Sequence, residues 1–138
     1  MAYIGQPVPS TVIKISQLKV SDGKSIDVTV PAGKGVTAGN FYVLDGFFGA
    51  VVETVDKDKN TAGKTVSLTL ENCEYVTDQI DTKQAFTKGA VLLFDTEKNL
   101  FVTTKTTATV PVGRVSAEKD TANTIQFIRA PQMQSASA

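Results

Sequence analysis

The sequence predicts an all-β fold, a compact β-barrel or sandwich of about eight to ten short strands with an extended N-terminal arm. Three observations predict it. Thr and Val are the most abundant residues, and Trp and His are absent. β-branched side chains suit a pleated, half-buried surface. Turn signals recur every eight to twelve residues or so, the spacing of barrels and sandwiches. One passage also occurs twice: Val36-Thr37-Ala38-Gly39-Asn40-Phe41-Tyr42-Val43-Leu44-Asp45 returns as Phe86-Thr87-Lys88-Gly89-Ala90-Val91-Leu92-Leu93-Phe94-Asp95. Each copy reads as a Gly turn, an apolar strand and an Asp-led turn. Apolar runs follow both, Phe47 to Val55 and Leu100 to Thr104, so two similar hairpins are expected.

Three regions are expected. Residues 1–11 form an extended arm, because Pro7 and Pro9 flank Val8 and exclude helix and central strand. Residues 12–130 form a single β domain. Residues 131–138 are a polar, small-residue tail, expected to be flexible.

Within the domain, Val12-Ile13-Lys14-Ile15 opens an apolar stretch whose alternation slips before Leu18 and Val20, which signals a bulge or break. Ser21-Asp22-Gly23-Lys24 is a hairpin turn. Ser25 to Val30 alternates cleanly, with Ile26, Val28 and Val30 on one face. Pro31-Ala32-Gly33-Lys34-Gly35 ends that strand. Asp45-Gly46 turns the first repeat copy into Gly49-Ala50-Val51-Val52-Glu53. After a polar loop, Asp56 to Lys64, the residues Val66, Leu68 and Leu70 mark another half-buried strand. Tyr75 to Ala85 reads as a long loop or one helical turn. The second copy turns around Asp95 to Asn99. Thr103 to Thr109 is an exposed strand or a loop. Val112-Gly113-Arg114-Val115 echoes Gly49-Ala50-Val51. Thr124 to Arg129 places Ile125 and Phe127 on one face and Ile128 on the other.

Composition narrows the function. The 138 residues suit one domain with a real core. The formal net charge is zero and the cations are scattered, so no basic stripe serves nucleic acid. No apolar run has the length of a membrane helix. The N-terminus lacks the features of a signal peptide, so the expected site of synthesis is a cytoplasm. With no histidine, Ser-His-Asp and Cys-His constellations are excluded. The single Cys73 reads as a half-buried apolar side chain.

Other motifs fall short of chemistry. Asp56-Lys57-Asp58-Lys59-Asn60 opens like a calcium loop, but Thr61 and Ser67 hold the places of the required Gly and Glu. Ala62-Gly63-Lys64-Thr65 ends like a phosphate loop, with Asp58 where its first Gly belongs. Asp45 and Asp95 match in position and read as turn caps. The aromatics sit inside apolar strands and read as core. No catalytic, cofactor-binding or metal residue is assigned.

Pro31-Ala32-Gly33, Gly35-Val36-Thr37-Ala38-Gly39, Gly49-Ala50-Val51, Phe86-Thr87-Lys88-Gly89-Ala90-Val91-Leu92, Val112-Gly113-Arg114-Val115 and Ile125-Gln126-Phe127 occur in an order that resembles a family of small bacteriophage capsid decoration, or cement, proteins. That family was formerly known only as a phage domain of unknown function. The resemblance covers roughly Val28 to Arg129. It implies a compact β-barrel bound to the major capsid protein on the outside of an assembled head, commonly as a trimer, without catalysis or cofactor. It places the protein in the virion after synthesis in the bacterial host. The N-terminal part is longer than the family's usual start. Tyr3, Ile4, Pro7, Val8, Pro9 and Val12 are therefore the candidate contacts with capsid or a sister subunit. The competing readings are another virion β module of tail or fibre, a carbohydrate-binding domain, and a hydrolase that uses carboxylates.

Overall fold

The computed structural model describes residues 18–129. The arm, Val12-Ile13-Lys14-Ile15 and the tail lie outside it. Nine strands are found among the described residues: β1 (Ser25–Val30), β2 (Phe41–Leu44), β3 (Phe47–Val51), β4 (Lys64–Thr69), β5 (Glu74–Thr77), β6 (Val91–Asp95), β7 (Leu100–Val102), β8 (Thr109–Ala117) and β9 (Ile125–Arg129). They form two antiparallel sheets, ordered β1-β4-β3-β2 and β5-β9-β8-β6-β7. The all-β expectation holds.

Local chemistry explains most elements. β1 alternates as its sequence requires, with Val28 and Val30 buried and Ser25, Asp27 and Thr29 exposed. Asp45 and Gly46 both have positive φ, 51° and 83°, which is the backbone of a tight type I′ turn between β2 and β3. Asn99 ends the β6–β7 turn with φ 55°, and its amide donates to Asp95 O at 2.8 Å. Two expectations change and one open alternative closes. Tyr75 to Ala85 is neither a plain loop nor a helix, since its start belongs to β5, which pairs with β9. Leu18 and Val20, 84% and 97% exposed, belong to no strand, so Ser21 to Lys24 does not close a hairpin with the residues just before it. Thr103 to Ala108 is a loop, and Thr109 opens β8.

The repeat proves larger than the sequence reading. Phe41↔Ala50 and Tyr42↔Gly49 pair in the first sheet as Val91↔Arg114 and Leu92↔Gly113 do in the second. Gly39 and Gly89 both have φ 87°, and their amides donate to Val51 O and Val115 O. Ala38 N–H is bonded by the Thr54 side chain and Lys88 N–H by that of Glu118. The pairing continues outward, since Thr69 lies between Ala50 and Ser25, and Ile128 between Arg114 and Glu74. The halves therefore correspond strand for strand: β1, β2, β3 and β4 match β5, β6, β8 and β9. Strand β7 is an insertion in the second half. The true counterpart of β3 is β8, so the run from Leu100 is not the second strand of the repeat.

Two apolar clusters result. Val28, Val30, Val36, Val51, Val55, Val66 and Leu68 pack together on one side of the first sheet. The larger cluster lies between the sheets. Phe41 and Phe48, from the opposite face of the first sheet, enter it among Phe94, Phe101 and Phe127. Phe41 stands edge-on to Tyr75, Phe101 and Phe127, with centroids 5.2, 5.3 and 5.5 Å away, the spacing aromatic pairs favour. The buried Gln79 clamps this joint. Its Oε1 accepts from Phe41 N–H at 2.7 Å and its Nε2 donates to Phe41 O at 2.8 Å, so a side chain replaces a missing neighbour strand.

Gly49 and Gly113 sit where strands meet closely. A Cβ at Gly49 would overlap Thr69 O, and one at Gly113 would overlap Ile128 O. Each Gly→Ala change is expected to cost about 1–3 kcal/mol in urea denaturation. Gly46→Asn, at a turn position with open space around it, is expected to cost much less.

Candidate functional site

The described residues gather no catalytic constellation. No group of three or more Cys, Asp or Glu side chains among them is placed to hold a metal ion. The calcium-like loop is held by its own backbone: Asp56 Oδ1 accepts from Asp58 N–H at 2.9 Å, and Asp56 O accepts from Lys59 and Asn60. Buried Asn60 explains the loop's shape, since its Nδ2 donates to Pro31 O at 2.8 Å and Lys34 O at 3.0 Å. Glu53, Asp56, Lys59 and Lys64 border an open polar depression of about 510 Å³ beside it. The phosphate-like segment lacks a helix, because Lys64 and Thr65 begin β4.

The two matched aspartates act differently. Asp95 caps its own turn, accepting from Glu97 and Lys98 amides at 2.9 and 3.0 Å. Asp45 instead reaches across to β1, where its Oδ2 accepts from Thr29 N–H at 2.9 Å. Cys73 corrects the expectation of half-burial. It is exposed, in the short connection from β4 to β5, where its backbone carbonyl accepts from Arg129 N–H and its side chain lies beside Tyr75. Among the described aromatics, Phe41, Phe48, Phe86, Phe94, Phe101 and Phe127 are buried, as their apolar strands imply.

The most perturbed groups lie at the sheet junction. Arg129 is almost wholly buried at the end of β9. It donates from Nη1 to Thr69 O at 3.1 Å and from Nη2 to Phe48 O, so one guanidinium ties the second sheet to two strands of the first. It also lies over the Phe48 ring, 5.0 Å from the centroid. Its Nε has no hydrogen-bond partner among the described residues. Burial pushes its pKa down, while Tyr75 and Cys73 act to hold it up. Burial, with the nearby Cys73, pushes the Tyr75 phenol up to about 12, against the pull of Arg129. Tyr75 donates to Glu71 O at 2.8 Å. This cluster serves as a joint, since the Arg129 Nη atoms and the Tyr75 hydroxyl donate to the backbone carbonyls of Thr69, Phe48 and Glu71. Sequence reasoning missed Arg129, because a lone arginine at a strand end carries no signal of burial.

The surfaces offer contacts instead. The candidate contacts Tyr3, Ile4, Pro7, Val8, Pro9 and Val12 lie outside the described residues. On the outer face of the second sheet, Glu74, Ile128, Arg114 and Val91 form one cross-strand row, with Val76 beside it. Val76 and Ile128 are 63% and 54% exposed. Ile128 was legible in the sequence as the apolar residue facing away from Ile125 and Phe127.

Arg129→Lys is expected to lose about 1–3 kcal/mol, because an ammonium cannot span both carbonyls, and chemical denaturation checks it. Tyr75 favours its neutral form when folded, so its contribution is intact below its ordinary pKa of 10.0 and is lost as pH rises through about 12. Melting temperature should therefore fall across that alkaline window in the native chain, and fall less in Tyr75→Phe.

Residues 20–131 match the family model for phage cement proteins. No curated protein and no solved structure matches the chain.

Proposed function

The chain belongs to the phage cement protein family, a structural and non-enzymatic family whose role is to decorate and stabilise the capsid, and from that premise we propose how it binds. It docks on the major capsid protein at the outer surface of the assembled head, as a homo-oligomer and most simply a trimer. The family match over residues 20–131 carries this reading. The rigid double sheet supports it, because polar groups within the fold are spent on joining the sheets rather than on a reaction. Linkage supplies the mechanism. A protein that binds only the assembled shell stabilises that shell by an amount that grows with the logarithm of its free concentration relative to its Kd.

The N-terminal arm is the proposed anchor, through Tyr3, Ile4, Pro7, Val8, Pro9 and Val12. Its two prolines limit self-pairing, and an extended segment of this kind gains order on binding. The remaining partner surface is the cross-strand row of the second sheet around Ile128, where exposed Val76, Val91 and Ile128 stand beside the charged Glu74 and Arg114.

Co-sedimentation with undecorated heads of the cognate phage, before and after expansion, tests the function. Saturable binding at a fixed ratio to the shell subunit is the expected result, and absence of binding to both forms would refute it. Removing residues 1–11 should weaken binding by tenfold or more, roughly 1.4 kcal/mol, with the circular dichroism of the β domain unchanged. Undiminished binding would exclude the arm as anchor.

A further inference from the structure

Two rows of side chains cross the outer face of the second sheet. One runs Glu74, Ile128, Arg114 over β5, β9 and β8. The other runs Val76, Gln126, Ala117 over the same three strands. A bulge in the β8–β9 pairing sets Ala117 opposite Gln126. Residues directly opposite one another on neighbouring strands project from the same face. Glu74, Val76, Arg114, Gln126 and Ile128 are exposed, and Ala117 is half-buried. In each row the middle residue belongs to β9. Neighbouring strands lie about 4.8 Å apart, so the two flanking residues stand equally far from it on opposite sides.

That spacing makes the face self-complementary. A two-fold axis parallel to β9, lying over Ile128 and Gln126, exchanges the two flanks. Glu74 of each copy then faces Arg114 of the other, and Val76 of each faces Ala117 of the other. Ile128 meets Ile128. Gln126 meets Gln126, and its side-chain amide both donates and accepts. An axis running across the strands instead sets Glu74 on Glu74 and Arg114 on Arg114, which like-charge repulsion disfavours. Both charged side chains are already held over the sheet. Glu74 Oε2 accepts from Ser116 Oγ at 2.6 Å, and Arg114 Nη1 donates to Gly89 O at 2.9 Å. Neither has an ion-pair partner among the described residues. Groups held in this way lose little freedom on meeting an opposite charge.

We propose that this face forms a two-fold contact between copies of the chain that sit side by side on the shell. The contact rests on the cement reading above and gives the row around Ile128 a second copy as its partner. Its size says where it forms. Two rows across three strands span roughly 200 Å², far below the 800 Å² or so that each partner buries in a stable interface. Free copies in dilute solution are therefore not held together by it. On a shell, docking fixes neighbours at a high effective concentration, and a weak contact is enough. A two-fold contact is isologous and joins copies in pairs. In a trimer it links one trimer to the next, so binding to the head is cooperative.

Co-sedimentation isotherms on undecorated heads test it, with the native chain, Glu74→Arg, Arg114→Glu and the double exchange. The native chain is expected to bind with a Hill coefficient above one. Each single exchange sets like charges face to face twice per contact. It is expected to weaken binding about threefold or more and to bring the coefficient down to one. The double exchange restores opposite pairs and is expected to restore both quantities. Saturable binding with a coefficient of one in all four chains would overturn the contact and leave the cement reading standing. Single exchanges that weaken binding without rescue by the double would assign the row to the capsid and overturn the second copy. If no chain binds heads, the cement reading fails and cross-linking alone decides the contact. Gln126→Cys combined with Cys73→Ser puts one thiol per copy on the axis, and a short bismaleimide at millimolar protein is expected to give a dimer. Absence of that dimer would overturn the contact.

Discussion

The structure depends on one joint, the place where the edge strand β2 turns Phe41 away from its own sheet and into the core of the other. An aromatic ring entering a foreign core brings its backbone with it, and an edge strand's amide and carbonyl must then find partners away from water. Gln79 meets both needs with one side-chain amide. Arg129 does the same for the carbonyls of Phe48 and Thr69. Both clamps come from the second half and grip the backbone of the first. The two halves have the same strand plan, yet they are not related as equals: the Phe41 and Phe48 face of the first sheet packs on the core of the second. That asymmetry leaves the equivalent face of the second sheet, around Ile128, open to solvent.

How much of this was legible follows from what each feature depends on. Strands β1 and β4 were clear because alternation of apolar and polar residues reports burial on one face directly. The Asp45-Gly46 turn was clear because positive φ at consecutive positions selects those residues. The repeat was visible in its Gly turns and apolar strands, and Gly113 already echoed Gly49. Its extent was hidden, because the insertion of β7 separates β6 from β8 and makes the run from Leu100 look like the partner. Strand β5 was missed since Glu74 to Thr77 has few apolar residues and lies on a sheet edge. Gln79 and Arg129 were invisible for a different reason. Their roles depend on which backbone groups another sheet leaves unpaired, and no local pattern encodes that. Cys73 was misplaced because the tendency of free cysteine to be buried says nothing about a short exposed connection.

These features fit the work of a cement protein. A capsid protein that adds stability by binding must stay folded while loaded, and two cores locked by buried polar clamps resist separation better than two stacked sheets would. In the reading proposed above, binding falls to parts outside that lock, the N-terminal arm and the exposed cross-strand row around Ile128. On a shell with many identical sites, each contact of the proposed homo-oligomer can be modest and still hold, because linking the copies raises the effective concentration of every neighbouring contact.

The most direct test of this account is a reconstruction by electron cryomicroscopy of heads saturated with the protein. The account predicts that the two sheets keep their clamped arrangement and that residues 1–11 are ordered in contact with the capsid. Heads on which the protein docks through the sheet junction, with that junction rearranged and residues 1–11 making no contact, would contradict it.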